Sequence, residues 1–219
     1  MKQLVIFDLD GTLLDTIADL GTAANAALAA AGYPQHSIES YRMMVGNGVR
    51  RLLERAAPPE KNDPGTIDGL LKSFKEYYDC HLCDLTQPYQ GIPDLLDDLH
   101  SRGVALAVAS NKYEDAVKRL VAHFFPDIPF VAVCGNIDGV PVKPDPSIVF
   151  RVLTEHPAAK ADVLYVGDSA VDIETARRAC VDSAGVTWGF RPLRELTGAY
   201  ADHIVTQPDN ILDIVGSPA

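Results

Sequence analysis

Four short polar segments hold the groups able to do chemistry in this 219-residue chain: Asp8-Leu9-Asp10-Gly11-Thr12, Ser110-Asn111, Lys143-Pro144-Asp145-Pro146 and Gly167-Asp168-Ser169-Ala170-Val171-Asp172. Asp8 and Asp10 follow the apolar run Leu4-Val5-Ile6-Phe7 directly. Residues two apart on an extended segment point to the same side, so both carboxylates can face one pocket. Like charges that close repel unless a cation or a shared proton separates them. Mg²⁺ takes oxygen ligands, usually one or two protein carboxylates, and keeps positions for water and phosphate. Asp8 and Asp168 fit that pair, with the main-chain carbonyl of Asp10 as a third ligand. Asp172 falls one helical turn after Asp168, so its carboxylate can lean back to the same place. Ser110 and Asn111 offer donors for phosphate oxygens, and Lys143 is a single cation whose direction the following Pro-Asp-Pro stiffens. Each segment alone has a plainer reading. Ser-Asn is an ordinary turn or cap pair, Ser169 a helix N-cap, and Asp172 an acid near a helix N-terminus. Together they describe one crevice with carboxylates, a hydroxyl, an amide and one lysine.

The elements that must position these groups read as an α/β fold. Four apolar residues in a row at 4–7 predict a strand buried on both faces, as in a parallel sheet. From Pro88 onward, predicted strands at 104–109, 130–134, 163–166, 184–187 and 203–206 alternate with helices at 92–102, 114–123, 147–155 and 171–180. That alternation predicts a Rossmann-like, doubly wound parallel sheet covered by helices. Ligands of such sheets sit beyond the carboxyl ends of the strands, where all four polar segments fall. Residues 16–87 carry helical patterns at 18–31, 49–57 and 67–82 and no convincing strand. The expected organisation is therefore a core domain of residues 1–15 and 88–219 with an α-helical cap domain of residues 16–87 inserted.

Composition narrows the partners. With 47% hydrophobic and 22% charged residues the chain can bury a sizeable core. A net charge of −11 without any basic block argues against nucleic acid and against anionic membrane, but leaves room for a small phosphate ligand. Neither a secretory h-region nor a membrane-length apolar window is present, so a cytoplasmic protein is expected. Cys80, Cys83, Cys134 and Cys180 are too scattered for a disulfide framework. Cys80-His81-Leu82-Cys83 is a lone CxxC at the end of a well-patterned helix and reads as structural. Periodicity leaves the oligomeric state open between monomer and homodimer.

In order and spacing the segments resemble the motifs of the haloacid dehalogenase-like phosphatases: DLDGTLLDT at 8–16, ASN at 109–111, KPDP at 143–146 and GDSAVD at 167–172. VGNGVRRLLERA at 45–56 and VTWGFRP at 186–192 further resemble the phosphoglycolate phosphatase-like branch, whose members carry a helical cap. The resemblance implies Mg²⁺-dependent hydrolysis of a small phosphorylated metabolite. Asp8 would be the nucleophile that forms an aspartyl-phosphate. Asp10 would protonate the leaving alkoxide and then deprotonate the hydrolytic water. Thr12, Ser110 and Asn111 would bind phosphate, and Lys143 with Mg²⁺ would neutralise the transferring group. Asp168 would complete the metal shell, with Asp172 orienting Lys143 or a metal-bound water. The cap would close over the site, with Gly46, Asn47 and Gly48 near the ligand and one of Arg50, Arg51 or Arg55 gripping a carboxylate or second phosphate. The plain alternative leaves those arginines on a polar helix face. Two departures stand out: Met43-Met44 before the glycine pair, and Cys180 where an Ala-Gly turn is usual. A β-phosphoglucomutase-like mutase and a pyrophosphatase of the same architecture share the four motifs. A non-enzymatic phosphate-binding scaffold should have lost one of Asp8, Asp10, Lys143 or Asp168, and all are present.

Overall fold

The computed structural model describes residues 2–216. The apolar run forms strand β1 (Leu4–Phe7), every residue of it buried. A two-residue strand β2 (Leu14–Asp15) leads into helices α1 (Ile17–Ala30), α2 (Val49–Ala56) and α3 (Pro64–His81), and β3 (Gln87–Pro88) follows. The chain then alternates through α4 (Ile92–Ser101), β4 (Ala105–Tyr113), α5 (Glu114–Phe124), β5 (Ala132–Asn136), α6 (Ser147–Glu155) and β6 (Val163–Gly167). It ends with α7 (Ala170–Ala179), β7 (Asp182–Val186), α8 (Leu193–Gly198), β8 (His203–Val205) and α9 (Asn210–Val215).

Six strands form one parallel sheet in the order β5-β4-β1-β6-β7-β8. The chain builds outward from β1 on one side and then returns to build on the other. The order thus reverses at β1, and a crevice opens at the carboxyl ends of β1, β4 and β6. Alternation along β1 sends Leu4 and Ile6 into a cluster with Tyr165 and Val149 on one face. Val5 and Phe7 enter the cluster on the other face, which continues through Leu96 and Leu120 to Leu53 and Phe74 of the helical segment. Both faces of the strand are covered, which is why its sequence lacks polar alternation.

β2 pairs antiparallel with β3 (Leu14 opposite Pro88, Asp15 opposite Gln87), so the chain leaves and re-enters the sheet region through adjacent strands. Asp19 of α1 fastens the return: its buried carboxylate accepts from the backbone N–H groups of Leu85 and Thr86 and from the Thr86 hydroxyl. Among the described residues, 16–86 hold only helices, turns and irregular chain.

Several boundaries differ from the sequence expectation. β4 runs on through Ser110, Asn111 and Lys112 to Tyr113, with an irregularity in its pairing to β5 after Ala109. Polar strand-end residues carry no apolar signal that would extend the prediction. α8 and α9, six residues each, and the two-residue strands are too short to show a period. α7 ends on Cys180 at φ 59°, so the left-handed cap geometry survives without the usual glycine. All four cysteines are free. Among the described residues, no helix is long and apolar enough to cross a membrane.

Candidate active site

Burial of β1 carries Asp8 to the floor of the crevice, where its backbone N–H bonds the carbonyl of Val166 on β6 at 2.8 Å. Asp8 Oδ1 lies 2.8 Å from Nζ of Lys143. Lys143 is buried and also donates to Asp172 Oδ1 at 2.8 Å and to the Ala109 carbonyl at 3.1 Å. Asn111 sets this lysine's backbone: its Oδ1 accepts from the Lys143 N–H (2.8 Å), and its Nδ2 donates to the Lys143 carbonyl (3.2 Å) and the Gly46 carbonyl (3.0 Å). The Asn111 amide is therefore committed to joining three loops. This differs from its expected role as a phosphate donor, because the side chain already has protein partners on both its oxygen and its nitrogen. Asp172 receives Lys143 on one oxygen, and the N–H and hydroxyl of Ser169 on the other. It is thus the residue that orients the lysine. Ser169 and Asp172 together hold the start of α7.

Asp168 accepts the Phe190 N–H on Oδ2 at 2.6 Å. Gly11 and Gly189 press against this carboxylate so closely that a Cβ at either position would overlap it. Trp188 reinforces the packing by donating from Nε1 to the Thr12 carbonyl at 3.0 Å. The WGF segment near the C-terminus thereby clamps the first and last motifs together.

Asp8, Asp168 and Asp172 can each offer an oxygen to one point, those atoms lying within 4.8 Å of one another. All three carboxylates are buried, and Lys143 is the cation among them. Burial, opposed by Lys143 and reinforced by Asp172, pushes Asp8 up to about 7. Burial, then Asp172 and Asp8, raises Asp168 well above the usual carboxylate range. Lys143 is raised despite burial, because Asp172 and Asp8 favour its charged form. Three carboxylates around one ammonium leave negative charge that a divalent cation would balance. Hydrogen bonds hold Asp8 Oδ1 and Asp168 Oδ2, so the other oxygen of each is available. Two free carboxylate oxygens suit a hard cation that also keeps water and phosphate.

Asp10 sits beside this cluster, with Oδ1 accepting from the Thr16 hydroxyl at 2.6 Å. The same oxygen is 3.0 Å from Nζ of Lys112. Lys112 is buried, and its ammonium also lies 4.8 Å from the centre of the Tyr78 ring on α3. Asp10 and Tyr78 favour its charged form against the effect of burial. The site therefore holds two lysines where the sequence reading counted one. Lys112 follows Ser110-Asn111 directly, and its position two residues after Ser110 on a strand was the available signal.

Asp8, Asp10, Ser110 and Asn111 line a cleft with Gly46, Gly48, Val49, Leu52, Tyr78 and Lys112. Gly46 and Gly48 reach it with φ 116° and 82°, a backbone that other residues rarely adopt. Asn47 and Arg50, expected there, are not among its lining residues. Arg50 pairs with Asp68 on the exposed face, and Arg51 pairs with Glu54. Arg55 donates to the Met44 carbonyl and to Asn47 Oδ1, both at 2.7 Å, so these two brace the glycine loop from behind. Arg191 braces it from the sheet side, bonding the Val45 carbonyl at 2.6 Å. The Thr12 hydroxyl is fully buried without a partner among the described residues and does not line the cleft.

The model of the haloacid dehalogenase-like hydrolase family matches residues 5–186. A phosphoglycolate phosphatase of Vibrio parahaemolyticus is 30% identical over 222 residues, covering 99% of this chain and 97% of that protein. Phosphoglycolate phosphatase 1 of Pseudomonas aeruginosa is 36% identical over 203 residues, covering 89% of this chain and 74% of that protein. A crystal structure from Lactobacillus delbrueckii, described as a candidate phosphoglycolate phosphatase, superposes with TM-score 0.92 at 32% identity, covering 98% of this chain and 99% of that one. With the four motifs meeting around Asp8, the chain belongs to the haloacid dehalogenase-like hydrolases, as a phosphatase of the branch that the phosphoglycolate phosphatases represent.

Proposed function

We propose that the protein hydrolyses a small phosphomonoester of the 2-phosphoglycolate kind through an aspartyl-phosphate on Asp8. The observation that carries this reading is the pairing of Asp8 with buried Lys143 while Asp10 faces the same cleft from two residues on. Asp8 attacks phosphorus with one carboxylate oxygen, the other remaining for the metal, and Lys143 neutralises charge on the transferring group. Asp10, steadied by Thr16, gives a proton to the departing alkoxide oxygen and later takes one from the attacking water. Ser110 and nearby backbone N–H groups hold the phosphoryl oxygens. Asp8, Asp168 and the Asp10 main-chain carbonyl would hold Mg²⁺, which when bound supplies further positive charge against those oxygens. Residues 16–87 act as a cap whose glycine loop, Leu52 and Tyr78 exclude water from the reacting groups. The named relatives support the substrate class.

The test is phosphate release from 2-phosphoglycolate, pyrophosphate, hexose phosphates and p-nitrophenyl phosphate. Turnover should require Mg²⁺, favour 2-phosphoglycolate, and fall at least ~1,000-fold in Asp8→Asn with the circular dichroism spectrum unchanged. Substantial turnover in that variant would refute the nucleophile. A hexose phosphate isomerised faster than phosphate appears would replace the hydrolase reading with a mutase.

A further inference from the structure

Once Asp8, Asp10 and Ser110 are assigned to the reaction, and with the Asn111 amide committed to Gly46 and Lys143 and the Tyr113 hydroxyl to Asp79, the cleft retains two polar side chains, Lys112 and Tyr78, among apolar walls of Leu20, Val45, Val49 and Leu52. An ammonium has three N–H donors, and Asp10 takes one of those on Lys112 at 3.0 Å. The Tyr78 ring covers part of the remainder at 4.8 Å. The Tyr78 hydroxyl is fully buried and, among the described residues, has no hydrogen-bond partner. A buried hydroxyl without a partner is uncommon in a folded protein. The arginines that the sequence offered for a second anion are tied elsewhere: Arg50 to Asp68, Arg51 to Glu54 and Arg55 to the glycine loop.

We infer that Lys112 and Tyr78 form the subsite for a carboxylate carried by the substrate, and so set specificity in place of a cap arginine. The inference rests on the phosphatase reading above. Asp10 must come within hydrogen-bond distance of the ester oxygen to protonate it, and Lys112 is hydrogen-bonded to Asp10. Lys112 Nζ then lies within about 6 Å of that oxygen, two hydrogen-bond lengths, and a group held by Lys112 within about 9 Å. A carboxylate one to a few carbons from the ester oxygen falls within this reach, which admits phosphate esters of short hydroxycarboxylic acids. The carboxylate accepts from Lys112 and from the Tyr78 hydroxyl, and Lys112 keeps or exchanges its contact with Asp10. Lys112 lies on the sheet and Tyr78 on the helical cap, so the anion would be gripped from both sides of the cleft.

The experiment compares kcat/KM for 2-phosphoglycolate and for ethyl phosphate, which has nearly the same skeleton and no carboxylate, using the full chain with Mg²⁺. The wild-type ratio should be on the order of 100 or more, as for a site built to bond a polar substrate group. Lys112→Met should bring it below about 5, mainly through KM for 2-phosphoglycolate, and Lys112→Arg should restore part of it. Tyr78→Phe keeps the packed ring and should lower the ratio several-fold, so it decides alone if Lys112→Met does not fold. A wild-type ratio near one overturns the assignment, and so does a ratio that survives the folded Lys112 and Tyr78 variants. Turnover without carboxylate preference removes only this subsite. No turnover on any ester, p-nitrophenyl phosphate included, removes the phosphatase reading as well.

Discussion

Asp8→Asn should stabilise the metal-free protein, by an amount that grows with pH. The Asp8 carboxyl is buried beside Asp172 and Asp10, and only Lys143 opposes their effect, so its pKa rises from 3.8 to about 7. A carboxyl raised on folding contributes stability that is complete below its unfolded pKa and is lost as pH rises through the folded value. Asparagine has nearly the same shape and no proton to lose. At about 1.36 kcal/mol per pH unit, the variant should exceed wild type by roughly 2 kcal/mol at pH 5.5 and by roughly 4 kcal/mol above pH 8, where the difference levels off. Those figures are a ceiling, since part of the burden is shared with Asp168 and Asp172. For a chain of this size each kcal/mol moves Tm by about 2–4 °C. Thermal melts in EDTA across pH 5.5 to 8.5 measure it directly. Added Mg²⁺ should close the gap by raising the wild type more than the variant. A variant that melts below wild type at pH 8.5 in EDTA would refute the reasoning, because attraction to Lys143 would then outweigh the cost of burying the charge.

Other perturbations report on the supports of the site. Gly189→Ala should cost about 1–3 kcal/mol by forcing a Cβ onto Asp168, and chemical denaturation together with a Mg²⁺ activation curve shifted to higher concentration checks it. Arg191→Ala frees the Val45 carbonyl and should raise KM for 2-phosphoglycolate more than it lowers kcat, as read from steady-state kinetics. Cys180→Gly relieves a left-handed residue at the exposed end of α7 and should gain roughly 1 kcal/mol, seen as a Tm higher by about 2–4 °C with activity unchanged.

The parts of the fold legible in the sequence were those whose signal is local. Four consecutive apolar residues announce β1 wherever they occur, and the polar residues after each such run mark the ends of strands in a parallel sheet. α6 was readable to the residue, because its apolar face repeats cleanly between Pro146 and the chain break in pattern at His156. β2 and β3 were not, since two residues carry no period and their pairing joins positions more than seventy apart. The course of β4 past Ala109 was equally hidden, because Ser110, Asn111 and Lys112 are held in the strand by neighbours and have no apolar pattern of their own.

The amino-acid sequence by itself determined the reacting groups: two aspartates two residues apart at a buried strand end, a lysine before a rigid Pro-Asp-Pro, and an acidic segment opening a helix. Their chemistry depends on short spacings along the chain, which folding preserves. The tertiary structure alone decided which cations serve the cleft. Arg50, Arg51 and Arg55 find partners on their own helical segment and do not line it, while Lys112 is buried between Asp10 and Tyr78. Those partners come from the segment after β1 and from α3, both tens of residues earlier in the chain. A side chain's direction across such a gap is set by packing and by the cost of leaving a buried charge unpaired, and neither is written in local spacing.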